Sequence, residues 1–229
     1  MWRRPVWLDD ESPFPPVERA DSHGLLAVGG TLTPERVVDA YRRGIFPWPT
    51  DEHMPVLWWS PDPRCVLRPR DLRVSRSLEQ RLRSGRFDVR FDTAFEAVMR
   101  ACGEVARPGQ DGTWITDEMV STYVTLHERG FAHSVESWRD GKLVGGLYGV
   151  ALDGVFSGES MFYRERDASK VAFVTLMRRL QEWNFDLVDC QMETEHPLRF
   201  GATTIPRTEF LKALGGSAHT SRWGRSDGP

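Results

Sequence analysis

Two carboxylates stand inside otherwise apolar runs: Glu159 in Val155–Phe162 and Asp189 in Phe185–Cys190. An acid in such surroundings costs free energy unless it is paired or put to use. Gln191 follows Asp189 by two residues, on the same face of an extended strand, where its amide can bond a carbonyl or an amine. If the two strands are neighbours, one pocket collects two carboxylates and an amide. Such a set can orient a reacting amine, take its proton, or hold a cationic side chain. No serine or cysteine sits in a nucleophile elbow, and no glycine-rich phosphate loop precedes a helix. The segment 165–170 also lacks the closely spaced glycines that would cradle a coenzyme A pyrophosphate. Glycines 145, 146, 149, 154 and 158 strip side chains from the same region, which either lets a ligand approach the backbone closely or only relieves a twisted sheet.

The elements that must position these groups follow from pattern. Leu143–Leu152 and Val155–Phe162 meet at Asp153-Gly154, a strong hairpin signal. Phe131–Trp138 precedes them through Arg139-Asp140-Gly141, giving an antiparallel meander. A helix over 168–183 then returns the chain to a strand at Phe185–Cys190, beside Val155–Phe162. This β–β–β–α–β order predicts a mixed, mostly antiparallel sheet packed on helices, an α+β fold. Upstream, Thr33 with Pro34, Ser75 and Thr116 are helix starts, and Asp92 is read as another cap. Val56–Trp59 and Phe87–Phe91 read as strands, and a short helix is expected at Thr208–Leu214. Residues 1–22 look extended, His23–Gly30 is too glycine-rich for a confident strand, and 217–229 looks like a ragged tail. The length allows one large domain or one domain with a smaller companion.

Composition narrows the function classes. With 229 residues, 40% of them hydrophobic, the chain can bury a sizeable core and is not disordered in character. The N-terminus lacks the apolar stretch of a signal peptide, and no run approaches the roughly 18 apolar residues of a membrane helix. Three widely spaced cysteines, Cys65, Cys102 and Cys190, fit reduced thiols in a cytoplasm. No Cys/His grouping has zinc spacing, so neither a metal nor a cofactor is expected. The net charge is −3, yet Arg64–Arg90 holds nine arginines against three acids. That asymmetry is the footprint of a polyanion partner, although arginine is also the chain's habitual cation, with only three lysines present. Trp48, Trp58 and Trp59 adjoin this stretch. Aromatics interleaved with cations suit unstacked bases and phosphates, while Trp58 and Trp59 on opposite strand faces imply that at least one is core.

Nine segments in collinear order resemble the leucyl/phenylalanyl-tRNA–protein transferase family: Gly24–Gly30, Tyr41–Trp48, Leu57–Arg64, Gly112–Ile115, Ala132–Glu136, Leu143–Val150, Gly158–Phe162, Asp167–Lys170 and Asp189–Gln191. The resemblance covers roughly residues 14–214. It implies transfer of leucine, phenylalanine or, less well, methionine from aminoacyl-tRNA to the α-amine of proteins beginning with Arg or Lys. That reaction feeds the N-degron degradation pathway. It implies a small N-terminal domain, over 1–62, and a C-terminal domain, over 63–229, like the GNAT acyltransferases, consistent with the strand order read above. By position, Asp189 and Gln191 match the family's proposed catalytic pair, and Glu159 an acid of the pocket wall. Trp48 and Trp114 match aromatics that sandwich the terminal adenosine, with Tyr41 and Phe46 nearby. Leu147 and Gly158 fall in the amino-acid pocket, and Arg76, Arg81 and Arg83 on the surface that meets the tRNA body. The loop 192–200 departs from the commoner family pattern, which leaves contacts of the acceptor peptide open. Two other readings remain at this stage: a coenzyme A-dependent N-acyltransferase, and a non-catalytic RNA-binding protein that would leave Glu159, Asp189 and Gln191 unexplained.

Overall fold

A computed structural model describes residues 4–48, 54–105, 115–216 and 223. The first part of the chain builds β1 (Val6–Leu8), β2 (Leu25–Gly29), α1 (Pro34–Arg42), β3 (Phe46–Pro47) and β4 (Leu57–Trp59). These strands form a sheet in the order β1-β2-β4-β3. His23–Gly30 therefore does hold a strand: Leu26 and Ala27 are fully buried, and packing supplies the order its glycines withhold. Trp58 is core, with its indole N–H donated to the Gly29 carbonyl at 2.9 Å, whereas Trp59 is only partly buried.

The rest of the chain continues as β5 (Arg64–Leu67), α2 (Arg76–Arg83), β6 (Asp88–Phe91), α3 (Phe95–Gly103), α4 (Asp117–Glu128), β7 (Ala132–Arg139), β8 (Lys142–Leu152), β9 (Val155–Tyr163), α5 (Ala168–Glu182), β10 (Leu187–Gln191), α6 (Glu195–Arg199), β11 (Thr203–Ile205) and α7 (Arg207–Gly216). Seven strands form one sheet in the order β11-β5-β10-β9-β8-β7-β6. Its neighbours are antiparallel except β9 and β10, which the crossover helix α5 joins in parallel. Helices α2 and α5 pack against one face of this sheet, and α3 and α4 against the other. The mixed α+β architecture with a mostly antiparallel sheet is thus observed.

Local chemistry explains the elements that matter here. Asp153 and Gly154 both take positive φ, 46° and 81°, as a tight two-residue hairpin requires, so β8 and β9 pair over their length. Thr33, Ser75 and Thr116 each cap a helix by accepting the N–H three residues on, at 3.2–3.3 Å. Asp92 does not cap α3. Its φ of 58° turns the carboxylate to the Ser134 N–H (2.8 Å), to His133 Nδ1 (2.9 Å) and to the Trp223 indole (2.5 Å). Strands β5 and β11 and helix α6 lie outside the sequence expectation. The first of these is decisive, because β5 places Arg64 beside β10.

Candidate functional site

The pairing of β9 with β10 ends at Ser157 opposite Asp189. Beyond that point β9 runs on to Tyr163, while β10 breaks register: a bulge falls between Asp189 and Gln191, and Gln191 takes φ 62°. The strands part, and a cavity of about 750 Å³ fills the gap. Glu159, Gly158, Asp189, Gln191, Leu147, Phe46 and Trp48 all line it. The seven residues thus converge from three separated parts of the chain. Trp48 meets Trp59 edge-on at 6.4 Å between ring centroids. Tyr41, from α1, reaches the same group from behind through its hydroxyl bond to Glu159. Trp114 lies outside the described residues.

The polar centre is one connected network. Arg64 holds Asp189 with two parallel bonds, Nε to Oδ1 at 2.8 Å and Nη2 to Oδ2 at 2.7 Å. Each side chain of that pair is only 1% exposed. The guanidinium lies between the rings of Phe46 and Phe210, 4.8 and 4.6 Å from their centroids, and also donates to the Gly44 carbonyl. Burial of an ion pair is tolerated only when geometry and further hydrogen bonds offset desolvation, and both conditions hold here. Asp189 Oδ1 also accepts the Gln191 backbone N–H at 2.9 Å, which fixes the left-handed turn. That turn presents the Gln191 amide to Glu159, Nε2 to Oε1 at 2.8 Å. Behind Glu159, the Tyr41 hydroxyl meets that of Tyr123 at 2.7 Å, and both tyrosines are pushed well above the ordinary phenol range, first by burial and then by the Glu159 charge.

Electrostatically the two acids differ. Asp189 is neutralised by Arg64, whereas Glu159 faces an uncharged amide and a phenol. Burial pushes Glu159 up to about 8, Asp189 adds to the rise, and the hydrogen bonds from Tyr41 and Gln191 together with the Arg64 charge only partly oppose it. A carboxyl group of that kind exchanges a proton near neutrality.

The rest of the cavity has two characters. Phe46, Leu147, Phe156, Phe173 and Leu176 supply apolar lining, and Arg166, Lys170 and Arg199 supply basic lining. Of the glycines expected to admit a ligand, Gly158 lines the cavity, and a Cβ there would touch nothing closer than 3.8 Å. Gly145 and Gly149 instead admit protein: a Cβ would fall 2.5 Å from Ala168 Cβ and 2.2 Å from the Ser157 carbonyl. Arg76 and Arg83 are exposed on α2, away from the cavity wall, while Arg81 lies 3.7 Å from Asp167, itself a lining residue. Arg64, counted above with the polyanion-facing arginines, is withdrawn from that surface because its charge is spent on Asp189.

Arg64, Tyr123 and Cys190 are site residues that sequence reasoning missed. The signal for Arg64 was a cation abutting the apolar run Cys65–Leu67; its partner lies 125 residues away. A further cluster was also missed: Asp92, His127 and His133 bring metal-type ligand atoms within 4.8 Å of one another. Protein acceptors already face these rings. His127 Nδ1 lies 2.9 Å from the Ala132 carbonyl, and the His133 nitrogens lie 2.9 Å from Asp92 and 3.2 Å from the Gly130 carbonyl.

The family model for the leucyl/phenylalanyl-tRNA protein transferase matches residues 66–215, and that for its N-terminal domain matches residues 30–62. A leucyl/phenylalanyl-tRNA–protein transferase of Myxococcus xanthus is 60% identical over 92% of this chain and 91% of its own length. One from Oleidesulfovibrio alaskensis is 56% identical over 96% and 92%. Among solved structures, a GCN5-related N-acetyltransferase from Kribbella flavida overlaps 73% of this chain and 59% of its own, with 15% identity and a TM-score of 0.37. That overlap carries no weight for the fold, which stands on the strand order itself. With Glu159, Asp189 and Gln191 gathered in one cavity, the chain belongs to the leucyl/phenylalanyl-tRNA–protein transferase family of aminoacyltransferases.

Proposed function

We propose that the protein transfers leucine or phenylalanine, and methionine less well, from aminoacyl-tRNA to the N-terminal amine of proteins beginning with Arg or Lys. The observation that carries this reading is one cavity lined by Glu159, Asp189 and Gln191, by apolar side chains that include Leu147 and Phe173, and by Arg166, Lys170 and Arg199. The apolar side chains take the aminoacyl side chain, Trp48 stacks the terminal adenosine, and Arg166, Lys170 and Arg199 meet phosphates. Arg76, Arg81 and Arg83 extend the cationic path along α2 to the tRNA body.

The chemistry needs little beyond placement, since the aminoacyl ester is already activated. The amine nitrogen attacks the ester carbonyl carbon, the carbon–oxygen bond breaks, and the ribose oxygen leaves with a proton. A protein α-ammonium titrates at about 7.7–8.0, close to Glu159, so proton transfer between them is nearly balanced. Gln191 orients the carboxylate, and Asp189 positions Gln191 rather than meeting substrate. No covalent enzyme intermediate is required. The Ser157 hydroxyl is given to Asp189, and the Cys190 thiol is pushed up by its bond to Cys65 and by burial, which makes it a weak nucleophile. Glu159 also attracts the cationic acceptor. Such products would enter the N-degron pathway in the cytoplasm. Among the described residues no helix is long and apolar enough to cross a membrane.

The test compares Gln191→Ala and Glu159→Gln with the wild type, using Leu-tRNA and peptides that begin with Arg, Lys or Ala. Both variants should be slow with the Arg and Lys peptides, and the Ala peptide should be a poor acceptor for all three enzymes. Wild-type rates in both variants would remove the proposed proton acceptor, and equal use of the Ala peptide would remove the acceptor rule.

A further inference from the structure

Trp223 belongs to the stretch 217–229 that reads in sequence as a ragged tail, yet its ring is seated on the larger sheet. It lies nearly parallel to His133 of β7, with 4.1 Å between ring centroids and 17° between planes, and to Phe156 of β9, at 5.6 Å and 17°. Gly149 of β8 pairs with His133 across the sheet, and a Cβ there would fall 2.5 Å from Phe156 Cζ. The bare strand admits the Phe156 ring, and the indole packs on that ring. Phe91 of β6 and Trp183, just past α5, meet the indole at 6.0 and 5.1 Å. The indole N–H is donated to Asp92 Oδ2 at 2.5 Å, and the Ser134 N–H and His133 fix that carboxylate in turn. With its ring packed and its N–H partnered, Trp223 is held in one place.

Phe156 is the link to the cavity. It is only 1% exposed, and it lines the cavity together with Leu147, Phe173 and Leu176. Trp223 is not among the lining residues, so whatever it does to the site passes through Phe156.

We infer that Trp223 is a positioning residue for the transfer site: by holding Phe156 at the cavity wall it sets the apolar space offered to the aminoacyl side chain, and with it the choice between leucine and phenylalanine. The inference rests on the function proposed above. Protein interiors are close-packed, so a ring that loses its neighbour relaxes toward the space left behind. Without the indole, Phe156 moves away from the cavity and the apolar wall recedes. A leucyl side chain, the smaller of the two, then loses contact, whereas a phenylalanyl ring reaches further and keeps it. A difference of about one methylene group in such a pocket changes discrimination on the order of 10-fold or more.

The experiment measures kcat and KM for Leu-tRNA and for Phe-tRNA, with an Arg-starting peptide, in the full-length wild type, Trp223→Ala, Phe156→Ala and the double variant. In Trp223→Ala the ratio of kcat/KM, leucine over phenylalanine, should fall by about 10-fold, chiefly through KM. Trp223→Phe, which restores a ring without the N–H, should recover most of the ratio. Should Trp223→Ala fail to fold, Trp223→Leu gives the same comparison with a smaller shift. Adding Trp223→Ala to Phe156→Ala should leave the ratio where Phe156→Ala alone puts it, since one residue acts through the other. An equal loss with both tRNAs would mark a purely structural role and overturn the inference, as would independent effects that multiply in the double variant. Hydrogen exchange reads the packing without activity: the amides of residues 155–158 should exchange faster in Trp223→Ala than in the wild type. If the wild type makes no product with either tRNA, the proposed function fails instead. The exchange comparison still decides whether Trp223 holds Phe156, and equal exchange would overturn that support.

Discussion

Arg64 and the arginines of α2 come from one stretch of sequence and do opposite work. Arg64 is sealed between two aromatic rings and bonded to a buried carboxylate, whereas Arg76 and Arg83 point into solvent. The difference is burial, and burial decides what a charge is worth. An exposed cation is screened and acts on distant polyanions, while a desolvated one is bound to its partner and shapes the backbone around it. Asp189 and Glu159 repeat the contrast within the cavity. The paired acid builds the turn, and the acid facing neutral partners is left to exchange protons.

The largest effect should come from breaking the buried pair. Arg64→Met leaves Asp189 charged and alone, which should destabilise the protein by about 3–5 kcal/mol in urea unfolding. Arg64→Met with Asp189→Leu should recover much of that stability without recovering transfer. A single variant as stable as the wild type would show that the pair holds nothing. Next, Glu159→Gln keeps shape and removes the proton acceptor, so the transfer rate should fall by at least about 10²-fold. Glu159→Gln melting far below the wild type would instead assign Glu159 a structural role.

The same variant carries a pH signature. The folded pKa of Glu159 is raised above its unfolded value, so the folded state binds the extra proton between pH 4.5 and about 8. Its contribution is complete below pH 4.5 and is lost as pH rises through that window. The stability of Glu159→Gln relative to wild type should therefore climb from pH 4.5 to about 8 and level off above it. A pH-independent difference in urea midpoints would place the carboxyl at an ordinary pKa. The smallest effect belongs to the exposed arginines. Arg76→Ala with Arg83→Ala should weaken tRNA binding uniformly and reduce the salt slope by about 2. An unchanged slope would move the tRNA path elsewhere.

Much of this was legible in the sequence, for physical reasons. Local rules marked the Asp153-Gly154 hairpin and the caps Thr33, Ser75 and Thr116, and apolar runs marked α5 and the strands around it. Asp189 and Glu159 stood out because buried acids are costly. What escaped was set by partners distant in sequence. Arg64 interrupts no apolar pattern of its own, and only its distant partners β10 and β11 make β5 a strand. Asp92 has the residue type of a helix cap, yet Ser134 and His133 of β7 claim its carboxylate. The glycines were read as space for a ligand, but at 145 and 149 the space belongs to α5 and β9. The Gln191 turn was hidden because the bulge exists only against β5.

The most direct test of the central claim is the mass of an Arg-starting peptide after incubation with the enzyme and Leu-tRNA. A gain of one leucine residue at the N-terminus is expected, with no gain when the peptide's amine is acetylated beforehand. No gain with the free amine, or an acetyl gain from acetyl-coenzyme A in its place, would contradict it.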